Sequence, residues 1–338
     1  MKQSKRDWVS KFADLSGLTR LVGLLPTRPV LLVLTYHRIG NAAECLHDSD
    51  IFSATSDELD EHVRFLKRGW HISTLEEVLE VVEGTRRLTR PSVLFTFDDG
   101  YRDNHSAAYP ILASHGVQGV FFLTTGYVGT QLTPWWDRIA YIIKSSKSMT
   151  FELRYPSKYR FDINQQGIDV VIRKVLQLYK SSLNQDEALF LNSLEEACDT
   201  ARPNEEERCI MNWGEAAEML SGGMAIGSHT HSHRILSKLS AEEQLEEMLT
   251  SKQLLEARLN TKVQSIAYPV GGPDTFTDVT RSAAEKAGYR IAFSYYGGVN
   301  VVGSFHPYDV ARVAVYYRTA ARFKLDTTLT ALMGRSLF

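Results

Sequence analysis

Two short runs in this chain carry residue types suited to holding a cation and activating water. The first is Thr96-Phe97-Asp98-Asp99-Gly100-Tyr101, in which adjacent carboxylates follow an apolar run. Successive strand residues point to opposite sides, so both acids reach one site only if the strand stops there. Gly100 permits that sharp exit. Side-by-side carboxylates repel unless a cation lies between or beside them. The second run is Gly227-Ser228-His229-Thr230-His231-Ser232-His233, after the apolar Met224-Ala225-Ile226. Three of the ten histidines fall within five residues. His229 and His233 stand four apart, so a helical turn would put them on one face, able to chelate one ion, with His231 pointing elsewhere. Each run has a plainer reading, a capped Asp-Asp-Gly turn or an exposed polar turn. Together they favour a site of two histidines and one aspartate. Such a site keeps a coordination position for water or substrate, as catalytic rather than structural zinc does.

These groups need a scaffold that brings distant segments together. Pro29 to Tyr36 reads as a buried strand ending at His37, and Ser92 to Phe97 as a second ending at Asp98. Further strands are expected at 119–124, 224–228, 264–269, 290–295 and 311–316. Helical apolar spacing marks 55–68, 74–83, 240–259 and 276–287. Thr74 with Glu77, and Ser240 with Glu243, have the spacing of capping boxes. This alternation predicts parallel strands joined by helices, with His37, Asp98, Asp99, His229 and Pro269 just beyond strand C-termini, the rim where catalytic groups gather in such barrels. The expected organisation is an N-terminal helical extension at 1–28, a barrel in two parts at 29–129 and 213–318, a polar, mostly helical insertion at 130–212 bordering the cleft, and a C-terminal tail at 319–338.

The chain has 338 residues, 43% hydrophobic and 23% charged, with a formal net charge of −2. That supports a sizeable core and gives no global attraction to nucleic acid. Cys45, Cys198 and Cys209 are an odd, widely spaced set, which argues against a disulfide framework or a cysteine zinc site. No signal peptide or membrane span is expected, so the predicted location is cytoplasmic. Trp8, Phe12, Leu15, Leu18, Leu21, Val22 and Leu25 recur at helical spacing, interrupted by Gly17 and Gly23. Two readings stand: a helix packed on the domain, or one lying on the inner membrane face. Oligomeric state leaves no signal.

The two runs resemble the motifs of the polysaccharide deacetylases, carbohydrate esterase family four, with its NodB-homology fold. The T-F-D-D-G motif stands at Thr96 to Gly100, and the H-[S/T]-x-x-H motif at His229 to His233. The turn Ala267-Tyr268-Pro269-Val270-Gly271 is similar to the third motif. Leu34-Thr35-Tyr36-His37-Arg38-Ile39 resembles the subgroup acting on exopolysaccharides rich in N-acetylglucosamine. The match runs from about 30 to 318, the insertion excepted. The resemblance implies an α/β fold, a distorted (β/α) barrel of seven or eight parallel strands with a helical insertion. It assigns Asp99, His229 and His233 to a divalent metal, zinc above all, and Asp98 as general base. Sites of this kind also accept cobalt or nickel.

Two departures bear on roles. The arginine that usually precedes the third motif's proline is missing from Ser265 to Tyr268, and Arg312 or Arg38 is a candidate replacement as partner of Asp98. No Leu-x-His acid motif stands near the C-terminus; in the exopolysaccharide subgroup a first-strand histidine serves as acid, which points to His37, unless it is a packed core residue. The implied reaction is hydrolysis of a sugar acetamide, with the Val270 N–H at the oxyanion. Tyr101, Tyr268, Pro269, Val270, Arg312 and Trp136 are expected around the substrate, with Trp135 and Trp136 alternatively anchoring the insertion. Competing readings are an O-acetyl esterase on the same scaffold and a non-catalytic metal-dependent sugar-binding module, against which an intact Asp98 argues. The expected substrate is a polysaccharide or its lipid-linked or nucleotide-linked precursor.

Overall fold

A computed structural model describes residues 5–22, 25, 27–45, 47–200, 208–301, 303, 306–316 and 319–335. The chain divides into two compact units, one comprising residues 1–40, 52–129 and 210–338, the other 41–51 and 130–209.

The nine-stranded sheet of the first unit is built mainly on β1 (Val30–Tyr36), β2 (Ser92–Phe97), β3 (Gly119–Leu123), β4 (Ala225–Ser228), β5 (Ser265–Ala267), β6 (Ile291–Phe293) and β7 (Val313–Ala314), all parallel. The short strands His71–Ile72, parallel beside β2, and Asn300–Val301, antiparallel beside β1, complete it. β1 and β2 are valine-, leucine- and phenylalanine-rich and buried at every position. Strands covered on both faces show this continuous burial in place of alternation. Neighbours pair in the order β6-β5-β4-β3-β2-β1. The chain just before β7 closes the gap between the two ends. Val310 bonds to Ala292 and Ser294 at β6, while Val313 and Ala314 pair with Leu34 and Thr35 of β1. The sheet is therefore curled into the distorted (β/α) barrel expected from the motifs, its last strand stitched in over a few residues.

Register decides where the site forms. Tyr36 pairs with Phe97, Leu123 with Ser228, and Ala267 with Phe293. The next residues, His37, Asp98, His229, Tyr268 and Ser294, all emerge at the same rim. Below it, Leu31, Val33, Leu94, Val120, Phe122, Ile291, Phe293 and Val310 form a core with Leu75, Val78 and Leu79 of helix Leu75–Val82. Each such side chain, fully buried, contributes about 1.5–3 kcal/mol. The expected capping boxes at Thr74/Glu77 and Ser240/Glu243 are both formed.

Residues 320–333, expected within a C-terminal tail, form the helix Ala320–Met333. His62 stacks on its Phe323, with ring centroids 3.7 Å apart.

The second unit contains helices Trp135–Lys144, Ile168–Lys180 and Glu187–Cys198. It also holds a hairpin, Thr150–Leu153 with Tyr159–Asp162, where the sequence reading expected mostly helix. The cue was the alternation of Thr150-Phe151-Glu152-Leu153, whose second and fourth residues turn inward. Residues 41–51 join this unit because the Lys144 ammonium bonds to the Cys45 and His47 carbonyls and Asp137 accepts from the Asp48 amide. Trp135 stacks on Tyr179 at 4.2 Å and meets Trp136 edge-on.

Candidate active site

The carboxylates at the end of β2 are turned into one place by backbone geometry. Asp99 has φ +73° and Gly100 φ +82°, two consecutive left-handed residues. A side chain at Gly100 would also meet Leu123, with a Cβ 2.9 Å from its Cδ2. For Asp99 the conformation costs about 1 kcal/mol or more, the kind of local strain that collects at functional sites. Thr230 at φ +63°, His233 at +60° and Val270 at +61° share it. The two remaining non-glycine residues of positive φ among the described residues, Asp199 and Asn260, are ordinary helix C-caps.

The histidines arrive differently from the sequence expectation. Residues 229–235 form no helical turn. Left-handed residues at Thr230 and His233 fold the loop back, and Thr230 accepts from the His233 amide at 3.2 Å. Glu247, on helix Ala241–Leu259, holds the loop by accepting from the amides of His231 at 3.0 Å and Ser232 at 2.8 Å. His231 turns away to pair with the Thr125 hydroxyl at 3.0 Å.

The His229 ring lies 2.8 Å from the Ala267 carbonyl through Nδ1, which must therefore carry the proton and donate it. Its Nε2 then presents a lone pair toward Asp99, 3.4 Å from Oδ1; His233 Nε2 lies 3.3 Å from the same oxygen. The candidate ligand atoms of all three residues lie within 4.8 Å of one another, and the residues are buried. Charged hydrogen bonds run shorter, about 2.7–2.9 Å. Two ligands placed tetrahedrally at about 2.0–2.1 Å from one zinc ion sit about 3.3 Å apart. The fixed tautomer, spacing and donor chemistry thus fit a divalent cation, so these residues could hold a metal ion.

Asp98 is held by a different partner. Arg312, fully buried just before β7, donates from one guanidinium nitrogen to Oδ1 at 2.7 Å and from the other to Oδ2 at 2.8 Å. Its Nε donates to the Ser294 carbonyl at 2.9 Å. Burial pushes the Asp98 pKa up, but the Arg312 charge and its paired hydrogen bonds outweigh it and hold the carboxyl below its ordinary value. Burial pushes Asp99 up as well, and the imidazoles of His229 and His233 beside it outweigh that and hold it below its ordinary value. Of the two candidate arginines, Arg38 instead pairs with Asp103 at 2.8 Å.

His37 stands beside Asp98 at the rim, its amide donating to the Ser53 hydroxyl and its carbonyl accepting from the Asn104 side chain. Its ring meets Tyr295 edge-on at 5.6 Å. Burial lowers its pKa against the pull of Asp99 and Asp98.

The other sequence candidates fall into two groups. The Pro269-Val270-Gly271 turn is pinned at the rim, with the Tyr295 amide donating to the Gly271 carbonyl at 2.6 Å. Tyr101 and Tyr268 are fully buried, and Tyr268 donates to the Tyr308 carbonyl at 3.0 Å. Trp136 is buried in the second unit. These three rings are packing residues here, not open stacking faces. The sequence reading missed Ser294, Tyr295 and Glu247. Ser294 and Tyr295 directly follow an apolar strand, so the rim rule that found His37 applied to them as well. Glu247 lies mid-helix and carries no local signal.

The rim of this parallel barrel thus carries an Asp/His/His cluster beside an arginine-held carboxylate. The chain belongs to the polysaccharide deacetylase family, whose model matches residues 85–171 and 184–292. That range contains Asp98, Asp99, His229, His233 and Val270 but neither His37 nor Arg312. Over 262 residues, 77% of this chain, it is 22% identical to the Bacillus subtilis (strain 168) protein named "Putative polysaccharide deacetylase YxkH", and the matched part spans 63% of that protein. Its fold is similar to that of the Streptococcus pyogenes deacetylase PplD, solved in complex with acetate, at TM-score 0.57 and 18% identity over 90% of this chain and 99% of that one. IcaB from Ammonifex degensii is similar to the same degree, covering 88% of this chain and 98% of its own.

Proposed function

We propose that this protein removes N-acetyl groups by hydrolysis from an amino sugar in a polysaccharide or in its lipid-linked or nucleotide-linked precursor. The observation that carries this reading is the division between adjacent carboxylates: Asp99 faces two histidine nitrogens, while Asp98 is clamped by Arg312.

Asp99, His229 and His233 would hold the cation, which we assign as zinc; when bound it supplies a Lewis acid and lowers the pKa of water. Asp98, kept ionised and aimed by Arg312, accepts the proton of the water that attacks the acetyl carbonyl. The Val270 N–H donates to the oxygen on which charge develops; it has no acceptor of its own among the described residues. His37 donates to the sugar nitrogen, a poor leaving group until protonated. Its lowered pKa makes its protonated form a ready donor. The Arg312 clamp also supports an enzyme over a non-catalytic sugar-binding module, which has no use for an oriented base.

The test is acetate release, by the zinc-loaded protein, from N-acetylglucosamine oligomers, an O-acetylated glycan, and lipid-linked and nucleotide-linked N-acetyl sugars. Release from an N-acetyl substrate is expected, falling on the order of 10²–10⁴-fold in Asp98→Asn. Full activity in that variant contradicts the base assignment. Release from the O-acetylated glycan alone transfers the reading to an esterase.

A further inference from the structure

We propose that the N-terminal helical segment is a docking surface for an anionic lipid bilayer, on which it lies flat. The first helix is mounted the wrong way round. In Lys5–Leu15, the small residues Ser10 and Ala13 are buried, while Trp8 is 67% exposed, Phe12 72% and Leu15 89%. Trp8, Phe12 and Leu15 stand at i, i+4 and i+7, one stripe of a helix. A surface helix ordinarily turns that stripe toward the core.

The acidic residues face the other way. Asp7 pairs with Arg322 at 3.5 Å and Asp14 with Lys324 at 3.3 Å, both cations on helix Ala320–Met333. The apolar face continues through Leu18 and Leu21 of the next helix, Leu18–Val22, and Leu25, all exposed, while Thr19 is buried. Seven of the fifteen large hydrophobic side chains exposed among the described residues, counting Val9, lie between positions 8 and 25. Scattered exposed apolar residues need no explanation, but a contiguous set of this kind marks an interaction surface.

Charge selects the occupant. Residues 1–28 contain six basic residues, Lys2, Lys5, Arg6, Lys11, Arg20 and Arg28, against two acidic ones, Asp7 and Asp14. Both acids are engaged with the C-terminal helix, so the charge left to a partner is positive. An anionic headgroup layer complements it, whereas a second copy would bring like charges together. At 11 residues the first helix is about 16 Å long, against a hydrocarbon core of about 30 Å. It therefore lies in the interface, where tryptophan and basic residues beside an apolar stripe are favoured.

The experiment is co-sedimentation of the full chain with vesicles of phosphatidylcholine containing phosphatidylglycerol, and with phosphatidylcholine alone. Binding is expected on the anionic vesicles, weakened by salt and lowered on the order of tenfold or more in the double variant Phe12→Glu, Leu15→Glu. Both substituted side chains point away from the fold, so thermal unfolding of the variant should match the parent. As a second reading, bromine-labelled phosphatidylcholine should quench tryptophan emission in the parent, and Trp8→Phe should remove that quenching. A parent that stays in the supernatant with anionic vesicles overturns the proposal, as does undiminished binding by the double variant. A dimer in light scattering that the double variant splits would give this face to a second copy instead.

Discussion

The two units each bury a pair of aspartates, and the pairs behave in opposite ways. At the barrel rim, Asp98 and Asp99 are 2% and 4% exposed and both are held below the ordinary carboxylate pKa. In the second unit, Asp48 and Asp137 are 6% and 0% exposed, and the Asp48 pKa is pushed up to about 6. Burial acts upward on Asp98, Asp99 and Asp48 alike. What differs is the company. The rim pair faces a bidentate guanidinium and two imidazoles, whereas Asp48 has the charges of Asp137 and Asp50 against it and only the Asp50 amide and the charge of Lys180 in its favour. A buried acid pair is thus not a catalytic feature by itself. The partners decide whether it stays charged and ready to accept a proton.

Removing the guanidinium should make the rim pair resemble the other. Arg312→Met leaves Asp98 buried without its cation, and we expect a loss of about 3–5 kcal/mol of stability, together with loss of turnover. Denaturant unfolding and acetate release measure both. Arg312→Lys should restore part of the stability but little activity, because an ammonium cannot reproduce two parallel N–H donors. Unchanged stability in the methionine variant would mean that the clamp is not what keeps Asp98 charged.

The second pair offers a smaller test of opposite sign. A carboxyl whose folded pKa is raised contributes its stability fully below its ordinary unfolded range and loses it as pH rises through about 6. Asp48→Asn mimics the neutral form and keeps an oxygen to accept from the Asp50 amide. It should stabilise the protein by about 1–3 kcal/mol at pH 8 and have little effect near pH 4, as read from thermal unfolding at both. Destabilisation at pH 8 would break the contrast.

The barrel was legible because its strands are short apolar runs that stop at polar residues, and parallel pairing in register carries those stops to one rim. Asp98, Asp99 and the two histidines were readable as candidates for the same reason. Their geometry was not: the histidines meet through left-handed residues and a glutamate brace, not a helical face, and single-chain spacing does not report φ. Arg312, one of the two arginines named as a candidate partner of Asp98, reaches it across 214 residues of sequence from just before the strand that closes the barrel. The resemblance to the family pointed to it, since no local pattern encodes such a contact. Tyr101, Tyr268 and Trp136 show the converse limit, since an aromatic next to a motif reads alike whether it faces a sugar or the core. The N-terminal stripe was visible as periodicity, but only the structure shows it turned outward.

The central claim is that Asp99, His229 and His233 close around one divalent cation beside the clamped Asp98. Metal content by mass spectrometry after zinc loading and desalting tests it most directly. About one equivalent is expected in the parent and in Asp98→Asn, and nearly none in a folded His233→Ala. A folded parent that retains no metal, or a His233→Ala variant that retains all of it, would rule out this ligand set.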